Sequence, residues 1–163
     1  LQIVCIKQVP DTETRVKVAA DGRTLDPAGV TWVLNPYDEF AVEEALRTKE
    51  KLGAGEVVGV DIDARALEAA AENAARNRVA LRLAHSQQPL SEQFDIVVAN
   101  ILTNPLCVLA PLIAARVKTG GELALSGVLD NQAEQVIAAY APHIALSRGA
   151  TLEGWARLEG TRT

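Results

Sequence analysis

The sequence predicts one three-layer α/β domain, Rossmann-like and doubly wound, with a mostly parallel sheet and an antiparallel strand pair at the C-terminus. First, apolar runs rich in β-branched residues alternate with helical patterns. Second, Phe94–Ile101 is nearly continuously apolar, which is typical of a parallel strand covered on both faces. Third, Ala145–Leu152 and Trp155–Thr161 flank a turn at Glu153-Gly154. A length of 163 residues fits a single domain over residues 1–163.

The first third of the chain predicts a strand, a hairpin and a helix. Leu1–Val9 is rich in β-branched residues and predicts a buried strand that Pro10 ends. The turn residues Ala20-Asp21-Gly22 predict a hairpin between two short flanking strands. Asn35-Pro36 suits the N-cap and first position of a helix, and Gly53 suits a left-handed cap at its end.

The rest of the chain alternates strands with helices, which predicts right-handed crossovers between parallel strands. The predicted elements are, in order, strand Glu56–Asp61, a helix from Asp63 to about Asn77, strand Ala80–Ala84, strand Phe94–Ile101, a helix capped by Asn104-Pro105, strand Glu122–Val128 after the turn Gly120-Gly121, and a helix from Asp130 or Asn131.

Composition and charge exclude several classes of protein. The hydrophobic fraction of 48% and charged fraction of 23% are typical of a globular protein, and a net charge of −5 argues against a nucleic-acid partner. No apolar run reaches the length of about 18 residues that a membrane helix needs, and no secretory signal is present, so a cytoplasmic location is predicted. Cys5 and Cys107 stand in apolar surroundings and predict buried, reduced thiols, and no Cys/His cluster indicates a metal.

Two parts of the sequence resemble two different families. VVGVDID, FDIVVANIL, GGELALSG and GWARLEGTR resemble the second half of the S-adenosylmethionine-dependent methyltransferase family that modifies protein eleven of the large ribosomal subunit. IVCIKQVPD and NPYDEFAVEEALRTKEK resemble the start of the electron-transfer flavoprotein beta subunit. Together they predict a chimera, natural or engineered, in which a flavoprotein-like segment 1–56 joins a methyltransferase-like segment 57–163.

The methyltransferase resemblance implies two site residues. Asp61 matches the acidic residue that binds the cofactor ribose, and Asn100 matches the residue that holds the acceptor amine. The alternative is that Asp61 only ends a strand and Asn100 only caps the next turn. The family's glycine loop is missing, because Lys7–Asp11 contains no glycine, and Gly53-Ala54-Gly55 precedes a strand rather than follows one. Both site residues are therefore predicted to be vestigial.

The flavoprotein resemblance implies a second vestigial site, for AMP. Its residues would be Cys5, Asn35, Pro36, Tyr37, Asp38 and Ile62. Helix capping explains residues 35–38 equally well. No flavin is expected, because the resemblance implies that flavin binding needs a partner subunit.

These observations predict a chimeric domain that folds and has no retained enzymatic activity. One alternative is a residual nucleoside-binding module for S-adenosylmethionine, S-adenosylhomocysteine or AMP. Another is an S-adenosylmethionine-dependent protein methyltransferase with an unfamiliar loop. No cofactor is expected beyond weak S-adenosylmethionine or AMP, and no metal, nucleic acid or membrane. Surfaces uncovered by missing domains predict a homodimer.

Overall fold

The computed structural model describes residues 2–5, 8–11, 13–26, 28–34, 43, 47, 50–51, 53, 55–88 and 90–163. Its main feature is a seven-stranded sheet in the order β5-β4-β1-β6-β7-β9-β8. The strands are β1 Gln2–Cys5, β4 Val57–Asp61, β5 Arg82–His85, β6 Phe94–Asn100, β7 Val117–Leu129, β8 Ser147–Leu152 and β9 Trp155–Thr161. The first five in spatial order run parallel, whereas β9 is antiparallel to both β7 and β8. The predicted parallel sheet with an antiparallel C-terminal pair is thus confirmed.

A second, two-stranded sheet pairs β2 (Gln8–Pro10) with β3 (Trp32–Leu34) in antiparallel register. The prediction of one continuous strand over Leu1–Val9 was wrong, because β1 ends at Cys5 and β2 belongs to this other sheet. Pro10 pairs with Trp32 and is the last residue of β2, so a strand does end there as predicted. A sheet of two strands has only edge strands, and an edge strand tolerates the missing N–H of proline.

The predicted hairpin after β2 is present in a reduced form. Val18 and Leu25 form a single antiparallel bridge, and the Gly22 N–H donates to the Ala19 carbonyl at 2.9 Å. Gly22 takes a φ of +66°, which glycine adopts without steric cost. Of the helix predicted after Asn35-Pro36, the described positions 43, 47, 50 and 51 are helical.

Helix α1 (Ala64–Asn77) connects β4 to β5 and begins as the sequence predicts. The Asp63 side chain accepts the main-chain N–H of Arg65 at 3.0 Å, which satisfies one of the free donors at the helix start. Ala66 and Ala70, one turn apart, are buried. The helix therefore presents a small-residue stripe to the sheet and allows close packing.

Helix α2 (Thr103–Arg116) connects β6 to β7, and its start differs from the prediction. Leu102 occupies the N-cap position without a side-chain hydrogen bond, so Asn104-Pro105 lies inside the first turn rather than capping it. Pro is tolerated there because the first-turn N–H groups have no partner within the helix. A short 3₁₀ turn (Asp130–Gln132) then leads into α3 (Ala133–Tyr140).

The glycine pair Gly120-Gly121 lies within β7 instead of before it. β7 begins at Val117, and its pairing with β6 shifts between Phe94↔Val117 and Ile96↔Glu122. Gly120 has a φ of +78° in this irregular stretch. Regular pairing resumes at Glu122, which is the residue where the sequence predicts the strand to start.

The core lies between β6, β7, β9, α2 and α3. Its largest fully buried side chains are Tyr140, Phe94, Leu106, Leu123, Leu125, Leu158, Val57, Val58, Val117, Val128 and Val136. Among the residues that the structure describes, no helix is long and apolar enough to cross a membrane.

Candidate functional site

The chain reverses its direction across the sheet between β1 and β6. From β1 the sheet grows through β4 and β5 on one side, and through β6 and β7 on the other. In open α/β sheets, ligands bind at the carboxyl ends of the strands at such a reversal. The residues that end β4 and β6 therefore define the candidate site.

Asp61 and Asn100 end these two strands at the same level. Asp61 follows Val60, which pairs with Cys5, and Asn100 stands two residues beyond Val98, which pairs with Val4. Both residues thus lie one step past Cys5, on either side of β1. Two interstrand spacings of about 4.8 Å place their main chains about 10 Å apart, close enough to contact one ligand.

Asp61 is half-buried and its carboxylate has a local partner. Its Oδ1 accepts the main-chain N–H of Asp63 at 2.7 Å, and its carbonyl accepts the N–H of Ser86 at 2.8 Å. Partial burial raises the pKa of the Asp61 carboxyl, although the main-chain N–H groups of Asp63 and Ile62 act in the opposite direction. Among the ion pairs between described residues, none involves Asp61, whereas Asp63 pairs with Arg65 at 3.2 Å.

Asn100 is half-buried and borders a glycine of the neighbouring strand. It pairs with Ser126 on β7, and Gly127 follows with a φ of +79°. A Cβ on Gly127 would lie 2.6 Å from the Ile101 carbonyl oxygen and 3.1 Å from Asn100 Oδ1. The β7 main chain therefore passes directly beside the Asn100 side chain, which only glycine permits.

Two of the residues predicted for an AMP site, Cys5 and Ile62, lie at the same edge of the sheet. Ile62 follows Asp61 but is 73% exposed, and Cys5 ends β1. Asn35, Pro36, Tyr37 and Asp38 lie outside the described residues. Asp61 and Asn100, the residues predicted for the S-adenosylmethionine site, lie at one level at the carboxyl ends of β4 and β6, and we call this region the crevice.

Two further residues lie at this edge, and the sequence predicted no role for either. His85 ends β5 and pairs in register with Asp61, and Gly127 approaches Asn100. The position of His85 at the end of a short strand was a usable signal, since parallel strands end at one edge. The role of Gly127 had no local signal, because its contacts lie 26 and 27 residues earlier in the chain.

A separate pocket of about 500 Å³ lies at the amino ends of β4 and β5. It is formed by α1 together with the segments that lead into β4 and β5, including Ala71, Ala75 and Leu81. Beside it, Arg82 bridges Glu56 at 3.1 Å and Glu92 at 3.2 Å. Since it faces the amino ends of the strands, it is not the crevice where this class of sheet binds ligands.

Cys107 is half-buried on α2, not fully buried as predicted, and this burial raises the pKa of its thiol. Within the part of the chain that the structure describes, no three His, Cys, Asp or Glu side chains are placed to hold a metal ion.

The comparisons with known proteins point to one family. The family model described as Ribosomal protein L11 methyltransferase (PrmA) matches residues 48–163. The ribosomal protein L11 methyltransferase of Cupriavidus metallidurans is 52% identical over 113 residues, which cover 69% of this chain and 37% of that protein. That of Dechloromonas aromatica is 52% identical over 112 residues, covering 69% of this chain and 38% of that protein. The chain thus spans little more than a third of the length of these relatives.

A solved structure agrees with the sequence comparisons. The ribosomal protein L11 methylase of Lactobacillus delbrueckii subsp. bulgaricus superposes with a TM-score of 0.63 at 27% identity, covering 74% of this chain and 65% of that one. The α/β fold is therefore methyltransferase-like.

The prediction of a chimeric, engineered or recombined domain without enzymatic activity was wrong. The family match begins at residue 48 and so crosses the predicted join between residues 56 and 57, and the curated relatives carry the name of a methyltransferase. None of these findings supports a flavoprotein origin for residues 1–56. Asp61 and Asn100 end two separate strands and both lie inside the matched range.

Proposed function

This chain belongs to the ribosomal protein L11 methyltransferase family, and from that membership we propose that it forms the cofactor-binding and methyl-transferring part of an S-adenosylmethionine-dependent protein methyltransferase. The observation that carries the proposal is the placement of Asp61 and Asn100 at one level on either side of β1. We take the sheet to be doubly wound and Rossmann-like, with three layers, as its strand order favours. The proposed acceptor is an amine of ribosomal protein L11, the protein named for the relatives.

Asp61 suits the ribose of the cofactor. Its Oδ1 accepts the Asp63 N–H at 2.7 Å, which fixes one carboxylate oxygen beside the start of α1. A carboxylate has enough acceptor positions to receive both ribose hydroxyls in addition to this N–H. Partial burial removes water from the Asp61 carboxylate and thereby raises its pKa. Hydrogen-bond donors from a bound ligand would replace that water.

Asn100 suits the accepting amine. Its side-chain oxygen can accept a hydrogen bond from an amine N–H and so orient the nitrogen lone pair. The bound cofactor supplies a sulfonium methyl group as the electrophile. Such a transfer depends on alignment of the reacting atoms more than on acid–base chemistry, so a fixed amide is a sufficient partner.

The segment after β1 sets the expected affinity. Between Lys7 and Asp11 there is no glycine, and Gln8–Pro10 pairs with β3. Fewer main-chain N–H groups are then offered to the cofactor than a glycine loop provides, since proline has none. We expect binding of S-adenosylmethionine to be weak and to depend strongly on Asp61.

A transfer assay tests the proposal. The 163-residue chain, S-adenosylmethionine labelled in its methyl group and purified L11 should yield labelled L11, detected by mass spectrometry. Asn100→Ala should lower kcat by about tenfold to a hundredfold, because it removes the group that aligns the amine. Asn131→Ala, at an exposed asparagine of the 3₁₀ turn, is the matched control and should leave the rate unchanged. Equal rates for both variants would contradict the role of Asn100.

A nucleoside-binding module is the second candidate, favoured by the absence of glycine after β1. This candidate predicts that the chain binds S-adenosylhomocysteine in a way that depends on Asp61. It also predicts that the transfer assay yields no labelled L11. The single domain, the cytoplasmic location, the homodimer, and the absence of metal, nucleic-acid and membrane partners stay predictions.

A further inference from the structure

The turn that follows Asn100 is held from two sides by distant parts of the chain. Only Ile101 and Leu102 separate Asn100, at the end of β6, from Thr103, at the start of α2. Both sides of this connection are contacted by the segment that ends β7 and enters α3. The position of Asn100 is therefore not determined by its own strand alone.

On one side, a part-buried hydrogen bond holds the start of α2. Thr103 Oγ1 donates to Gln132 Oε1 at 2.7 Å, across 29 residues of sequence. Within the described part of the chain, Thr103 is the one polar residue as buried as the core, with 5% of its surface exposed. A buried hydroxyl loses its hydration, so removal of its acceptor would leave an unsatisfied group. This bond therefore fixes the end of the turn to the segment after β7.

On the other side, the main chain of β7 closes against the turn itself. Gly127 lies where a side chain would collide with the Ile101 carbonyl at 2.6 Å and meet Asn100 Oδ1 at 3.1 Å. Its neighbour Ser126 pairs with Asn100 in the sheet. The absence of a side chain at Gly127 thus determines how far the Asn100 amide can turn towards β7.

We propose that Gly127, Thr103 and Gln132 are positioning residues that hold the Asn100 amide at the carboxyl end of β6 in the orientation needed for the accepting amine. This inference rests on the proposed function, which gives Asn100 its role. None of the three contacts the reacting atoms; they act through the two ends of the short turn. A displacement of 1 Å in a reacting group can lower a rate by about a hundredfold. Contacts that keep Asn100 in place therefore have a measurable effect on the rate.

The first test measures Asn100 directly and needs no activity. The side-chain amide signals of Asn100 in ¹⁵N–¹H NMR spectra of the full chain should shift in Gly127→Ala. Gly120→Ala is the matched control, because Gly120 has nearly the same φ, +78° against +79°, and no atom within 4 Å of its absent Cβ. Thr103→Val, which keeps the shape but loses the hydroxyl, should also shift the signals, and Thr103→Ser should restore them.

The second test separates orientation from binding. Gly127→Ala and Thr103→Val should lower kcat for L11 by about tenfold or more, with the Kd for S-adenosylhomocysteine changed by less than about threefold. Thr103→Ser and Gly120→Ala should keep the wild-type kcat. If Gly127→Ala does not fold, the Thr103→Val and Thr103→Ser pair decides the question alone.

The outcomes distinguish this inference from the proposed function. Unmoved Asn100 amide signals in a folded Thr103→Val protein would overturn the positioning role, even in a chain that transfers methyl groups. A wild-type chain that binds no S-adenosylhomocysteine would overturn the proposed function. The amide measurement would still report whether Gly127, Thr103 and Gln132 orient Asn100.

Discussion

The two sides of the crevice are built in different ways. On the Asp61 side, the carboxylate bonds to an N–H two residues away, and Asp63 caps a helix that starts at the next residue. On the Asn100 side, the contacts come from Gly127 and from the bond between Thr103 and Gln132, which are 26 to 29 residues distant in sequence. The first side is local in origin, whereas the second depends on tertiary packing.

This difference separates what each side contributes. The Asp61 side offers a carboxylate whose direction is set by the nearby main chain. Such a group suits the ribose of the cofactor, which is the same in every reaction cycle. The Asn100 side offers an amide whose orientation depends on how β7, α2 and α3 pack together. Substitutions in the core should therefore change the orientation of Asn100 more than that of Asp61.

The largest expected effect concerns the core that supports the Asn100 side. Leu125 is fully buried on β7, where it pairs with Ala99 on one side and Leu158 on the other. Leu125→Ala should lower the free energy of unfolding by about 2–5 kcal/mol, because it removes buried methyl groups and leaves a cavity. Urea unfolding measures this change.

Leu129→Ala is the control on the same strand, since Leu129 is 40% exposed, and it should cost about 1 kcal/mol or less. Similar losses for the two variants would mean that the β7 core does not support this side of the crevice as described.

A smaller effect is expected on the local side. Asp63→Ala removes the side-chain acceptor at the start of α1 and should lower the free energy of unfolding by about 1 kcal/mol. Asn104→Ala is the matched test on α2, where the structure gives Leu102 the N-cap position, and it should change stability by less than about 0.5 kcal/mol. A larger loss from Asn104→Ala than from Asp63→Ala would reverse the assignment of the caps.

The smallest effect is a pH dependence at Asp61. Burial raises the pKa of this carboxyl above its ordinary value of 3.8. The folded chain then keeps a proton that the unfolded chain has released, so the free energy of unfolding falls as pH rises from 3.8 through the raised pKa. Asp61→Asn cannot ionise and should escape this decrease.

Urea unfolding of wild type and Asp61→Asn between about pH 3 and about pH 7 measures this difference. The variant should gain stability relative to wild type as pH rises through that window. A constant difference would mean that burial does not perturb Asp61.

The sequence predicts the parts of the fold that depend on short-range patterns. Asp63 was identified as a cap because the acceptor and the N–H it serves are two residues apart. β4, β6 and the C-terminal strand pair follow from their apolar runs and from the turn at Glu153-Gly154, and the parallel arrangement brings the ends of β4 and β6 together. Asp61 and Asn100 themselves were predicted from the resemblance of the surrounding motifs to the methyltransferase family.

Features that depend on distant contacts were missed or misplaced. Asn104-Pro105 has the local chemistry of a helix start, but α2 begins earlier at Thr103, whose hydroxyl is bound by Gln132. Gly127 carries no sequence signal, because what excludes a side chain there is the carbonyl of Ile101. Leu1–Val9 was read as one strand because local propensity does not reveal that its two halves belong to different sheets.

Separate calorimetric titrations of the chain with S-adenosylhomocysteine and with AMP test most directly whether this crevice is a cofactor site. We expect heat from S-adenosylhomocysteine, a Kd weakened at least about tenfold in Asp61→Ala, and no change in Glu68→Ala, an exposed carboxylate on α1. Binding of AMP alone, or S-adenosylhomocysteine binding that Asp61→Ala leaves unchanged, would contradict the assignment of Asp61 and of the crevice.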